Sequence, residues 1–137
     1  MPTQANQPAQ SPSGPDSNRA RKLLFRLSKP PYGRSQAREA LDALLAAAAF
    51  EQDVSVLFVG DGLYLLLKNQ QPGAIEQKNF TASFGLFNLY GINQIYAAET
   101  DLVERRLTPD QLALPVTVLS REELTSLLRS QDQILSF

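Results

Sequence analysis

Residues 54–60 read VSVLFVG, and this run decides the fold. Val54, Val56 and Val59 are β-branched, Leu57 and Phe58 are large and apolar, and only Ser55 is polar. A strand apolar on both faces suits the centre of a parallel sheet covered by helices. Upstream, Ala37, Leu41, Leu44, Leu45 and Ala48 recur at the spacing of one helix face. Ser35 stands where an N-cap belongs, and Arg38 and Glu39 fall toward water. Residues 23–28 (LLFRLS) form the first strand candidate. Pro30, Pro31 and Gly33 deny regular structure to the loop between them.

Downstream, Asp61 and Gly62 turn the chain, residues 63–67 suit a short helix, and residues 69–73 (NQQPG) a loop. Phe80, Phe84 and Phe87 then share a helix face, with Leu86 and Tyr90 alongside and Gly91 as the closing residue. Residues 92–98 (INQIYAA) read as the third strand and residues 99–107 as a short helix. Thr108 to Gln111 opens another helical turn, and residues 115–119 (PVTVL) read as the fourth strand. Ser120 and Glu123 make a capping box, and Leu119 with Leu124 a hydrophobic staple, for a last helix. Residues 132–137 (DQILSF) supply a fifth strand. Strands alternating with helices predict a three-layer α/β sandwich around a mostly parallel five-stranded sheet, flavodoxin-like in kind.

The 137 residues fit one domain, with 43% hydrophobic and 20% charged residues, an ordinary globular balance. Residues 1–20 are polar, rich in Pro, Gln, Ser and Asn, and lack the apolar mass needed to offset ordering. They are expected to be a disordered tail, leaving residues 21–137 as the domain. No run approaches the roughly 18 apolar residues of a membrane span, and the start lacks an apolar signal core. The cytoplasm is the expected compartment. A net charge of -1 gives no footprint for direct nucleic-acid contact.

The sharpest signal is an absence: the chain has no cysteine and no histidine. Thiol and imidazole catalysis are excluded, and the usual zinc and iron–sulfur ligand sets are missing. No catalytic residue, metal site or cofactor is therefore expected. Glu122 and Glu123 open a helix, where negative charge suits the dipole. Glu99, Asp101 and Glu104 read as a solvated helix face. The best binding candidate is the loop holding Tyr32, Gly33, Arg34 and Ser35, which follows the carboxyl end of a strand and leads to a helix N-terminus. It would take an anion or a partner, although neither a P-loop nor a dinucleotide fingerprint is present. A helix apolar nearly all round wants burial on more than one side, so Phe84, Phe87 and Tyr90 are interface candidates.

Pro31-Tyr32-Gly33, the run from Ala37 to Leu45, Val59 to Tyr64, Phe84 to Ile92 and the closing Asp132 to Phe137 together resemble the TusC/DsrF-like subunits of the DsrE/DsrF-like family. The resemblance covers nearly everything after the tail. It implies a non-catalytic subunit of a heterohexamer with TusB-like and TusD-like chains, two copies of each. Such a complex passes persulfide sulfur from a TusA-like donor toward a TusE-like acceptor, for 2-thiolation of a transfer-RNA wobble uridine. In the DsrF-type alternative, a similar DsrEFH complex serves sulfur oxidation. The sister subunit carries its acceptor cysteine just after the third strand, and the matching position here is Ala98. A stand-alone flavodoxin-like module binding an anion or nucleotide at the Lys29 to Ser35 loop is the competing reading.

Overall fold

The computed structural model describes residues 20–30, 36–50, 52–68 and 84–137. The polar tail through residue 19, the loop 31–35, the NQQPG segment and Phe80 lie outside the described residues. In chain order the elements are β1 (Lys22–Leu27), α1 (Gln36–Ala49), β2 (Asp53–Phe58), a 3₁₀ helix (Gly60–Leu66), α2 (Phe84–Leu89), β3 (Gln94–Ala98), α3 (Glu99–Glu104), a 3₁₀ turn (Pro109–Gln111), β4 (Thr117–Leu119), α4 (Arg121–Arg129) and β5 (Gln133–Ser136).

All four strand pairings are parallel, in the order β4-β3-β2-β1-β5. The flavodoxin-like three-layer sandwich expected from the alternation is present, with a wholly parallel sheet. This order explains the layering. The steps β1 to β2, β2 to β3 and β3 to β4 all move the same way, so right-handed crossovers put their helices on one face. The step β4 to β5 returns across the sheet, so α4 falls on the other face.

The first face carries the larger core. Phe25, Leu27, Val54, Val56, Phe58, Ile95 and Ala97 meet Ala40 and Leu44 of α1, Leu63 and Leu66 of the 3₁₀ helix, Phe84 and Phe87 of α2, and Leu102 of α3. The predicted α1 face is buried at Leu41 and Leu44, while Arg38 and Glu39 are exposed as expected. On the second face Leu24, Leu57, Val59 and Ala98 meet Leu124, Leu127 and Leu128 of α4. Each fully buried Leu, Val or Phe stabilises the fold by about 1.5–3 kcal/mol relative to exposure.

Ser55, the polar interruption of the central strand, is buried and satisfied. Its hydroxyl donates to Gln94 Oε1 at 2.9 Å, and Gln94 Nε2 donates to Asp53 Oδ1 at 3.0 Å. An unpartnered hydroxyl there would cost about 1–3 kcal/mol. The capping box at α4 forms as read: Glu123 N–H donates to Ser120 Oγ at 3.2 Å, and Ser120 N–H to Glu123 Oε1 at 2.8 Å. Several boundaries are tighter than the sequence suggests. The short helix expected at residues 63–67 is a 3₁₀ helix that spans Gly60–Leu66 and leaves Leu67 extended, and α3 stops at Glu104. There the chain closes with Arg106 N–H donating to Val103 O and Leu107 N–H to Leu102 O, with Arg106 at φ 54°.

Candidate functional site

Parallel α/β sheets gather ligands at the carboxyl ends of their strands. Here that end is built by the turn after β1, the turn after β2 and the start of α3. Ser28 closes β1 by donating from N–H and Oγ to the Phe137 carbonyl, at 2.8 and 3.2 Å. Tyr32, Gly33, Arg34 and Ser35, the expected binding loop, lie outside the described residues.

The turn after β2 passes directly over the end of β1. Gly60 has φ 53°, and a Cβ on Gly62 would lie 2.0 Å from the Leu27 carbonyl oxygen. The Gly60 N–H donates to Asp101 Oδ2 at 2.9 Å, tying this turn to α3. Arg105 then donates from Nε and Nη2 to Asp61 Oδ1, at 3.2 and 3.0 Å. Its Nη1 also reaches Glu104 Oε1 at 3.3 Å. Burial alone would lower the Arg105 pKa. The hydrogen bond and charge of Asp61, with the charge of Asp101, outweigh it and hold the guanidinium above its ordinary value.

This brace was missed in the sequence. Asp101 reads there as part of a solvated face, yet it holds the backbone of a turn 41 residues earlier. Chemically, the arrangement satisfies its own donors: a carboxylate already occupies the glycine N–H, and the cation is matched by acids.

Ala98 ends β3 and stands as the N-cap residue of α3, 2% exposed and packed in the smaller core. It pairs in register with Leu119 of β4. Of the three interface candidates, two are buried within this chain and one is exposed. Phe84 and Phe87 are 7% and 1% exposed, with ring centroids 5.6 Å apart, inside this chain's own core. Tyr90 is at the surface, and the outward side of α2 is completed by Leu86 and Leu89, the last 77% exposed. The outward residues of this helix are Leu86 and Leu89, with Tyr90 exposed just after it. No helix among the described residues is long and apolar enough to cross a membrane.

Comparison with known proteins bears on this geometry. A TusC homologue of Vibrio vulnificus (strain CMCP6) is 41% identical over 114 residues, spanning 83% of this chain and 95% of that protein. A TusC homologue of Pasteurella multocida (strain Pm70) is 39% identical over 118 residues, spanning 85% and 99%. The crystal structure of the ychN protein from E. coli shares the fold at a TM-score of 0.71 and 21% identity, covering 85% of this chain and 99% of that one. A protein of unknown function from Methanobacterium thermoautotrophicum, MTH1491, does so at a TM-score of 0.58 and 12% identity, with the same coverage. The DsrE/DsrF-like family model matches residues 21–137, and the chain therefore belongs to the DsrE/DsrF-like family.

Proposed function

We propose that this chain is a non-catalytic subunit of a cytoplasmic sulfur-relay complex, assembled with TusB-like and TusD-like chains, two copies of each. The observation that carries the reading is the alanine at position 98, in a family member without any cysteine. Persulfide chemistry needs a thiolate to accept and release sulfur. This chain offers none, so the acceptor thiol belongs to a partner, and the chain contributes surface and shape. The relay takes sulfur from a TusA-like donor to a TusE-like acceptor for 2-thiolation of transfer RNA. A DsrF-type role in sulfur oxidation would use the same surfaces. The outward Leu86, Leu89 and Tyr90 support assembly, because three exposed large apolar groups on and just after one short helix favour a partner over water.

Co-expression with TusB-like and TusD-like partners tests the reading. Light scattering should give a particle of two copies of each chain. A monomer indifferent to both partners would overturn it.

A further inference from the structure

The second face of the sheet is served, among the described residues, by a single helix. Because α4 lies over β1, β2 and β3, a groove of about 480 Å³ opens between α4 and the β3–β4 edge. Its apolar lining comes from Tyr96, Leu119 and Leu127. Its wall on α4 bears Glu122, Glu123 and Ser126, and the lining includes two carboxylates and no cation. Glu123 keeps one oxygen on the Ser120 N–H, which fixes its carboxylate in place at the helix start.

We propose that this groove docks a basic amphipathic segment of a partner protein, an apolar side chain seated among Tyr96, Leu119 and Leu127 with flanking Lys or Arg groups toward Glu122 and Glu123. Charge complementarity selects this occupant. A second copy meeting this groove with its own, across a two-fold axis, would bring the same carboxylates to face their equals, which costs rather than stabilises. Residues 1–19 carry one Asp and one Arg and almost no large apolar side chain, so they match neither the lining nor the charge. The groove lies on the opposite sheet face from α2 and its outward residues. The inference does not depend on sulfur relay: the docking of a basic segment and the assembly of the complex can fail separately.

The test is a titration of the isotopically labelled full chain, followed by amide chemical shifts. The probe is a synthetic peptide with leucine at helical spacing and lysine elsewhere; controls replace every lysine by glutamate, or every leucine by serine. The lysine–leucine peptide should give saturable shifts at Tyr96, Leu119, Ser126 and Ser130, weakening as salt rises. Neither control should bind there. Glu122→Lys should weaken binding about tenfold, mainly through slower association. Ser126→Trp, at an exposed position, should abolish it by filling the groove. Equal binding of the glutamate peptide, shifts confined to other surfaces, or no effect of Glu122→Lys would each overturn the proposal. So would shifts at these residues that follow protein concentration alone, which would mean a second copy. Binding that appears only after removal of residues 1–19 would assign the groove to the chain's own tail and overturn it too.

Discussion

A Cβ at residue 62 would stand 2.0 Å from the Leu27 carbonyl oxygen and 2.6 Å from its carbon, both backbone atoms of the central sheet. Neither can swing away as a flexible side chain would. Gly62→Ala should therefore lower stability by about 3 kcal/mol or more, a backbone shift rather than a lost contact. Urea unfolding followed by circular dichroism measures it; a change under about 1 kcal/mol would mean the turn moves off β1 freely. Arg106 presents the opposite case. It holds φ 54° at the end of α3, where a Cβ crowds the following carbonyl and glycine fits without strain. Arg106→Gly should raise stability by about 0.5–1 kcal/mol, less than the full relief because glycine also loosens the unfolded chain. Loss of stability on this change would show that the exposed Arg106 side chain holds something its backbone strain conceals.

Element by element, what was legible in the sequence was local. Ser120 and Glu123 sit three residues apart, so their reciprocal bonds follow from helix geometry alone, and the cap forms as read. The run at 54–60 announced a two-faced central strand, and β2 is buried on both sides. Asp101 was not legible, because its bond to Gly60 depends on how β2 and β3 pair, a property of no short window. The orientation of α2 was hidden for another reason. Phe84, Leu86, Phe87, Leu89 and Tyr90 make the helix apolar nearly all round, so period alone cannot say which side meets the sheet. The structure separates the sides, and a pair of substitutions checks the separation. Phe87→Ala, at a 1% exposed position, should cost about 3–5 kcal/mol through the cavity it leaves. Leu89→Lys, at a 77% exposed one, should leave the unfolding free energy within about 0.5 kcal/mol while expelling the chain from the co-expressed particle. If Leu89→Lys assembled normally, α2 would not be a partner surface.

On the scale of the whole molecule, the strand order sets the order in which the sheet can form. β1 lies between β2 and β5, but these neighbours are very unequally distant along the chain. The contact joining the starts of β1 and β2 spans 31 residues, from Arg21 to Gln52. The contact joining the starts of β1 and β5 spans 110, from Lys22 to Asp132. Loop closure grows with the logarithm of length, so the second costs about 1 kcal/mol more before any pairing offsets it. Its return is also smaller: β5 has four residues, three of them exposed, whereas β2 is buried along nearly its whole length. A sheet with such non-local pairing should fold slowly, in milliseconds to seconds. The β1–β2 pair should nucleate, and β5 should dock late, after α4 has crossed the second face. Leu135→Ala, against the core from β5, should then mainly speed unfolding and leave the folding rate almost unchanged. Val56→Ala, at the fully buried centre of β2, should slow folding by a large share of its total effect. Stopped-flow chevrons of the two variants decide the matter. If Leu135→Ala slowed folding as much as Val56→Ala, the return of β5 to β1 would belong to the nucleus, and the order of events would be set by topology as a whole rather than by distance along the chain.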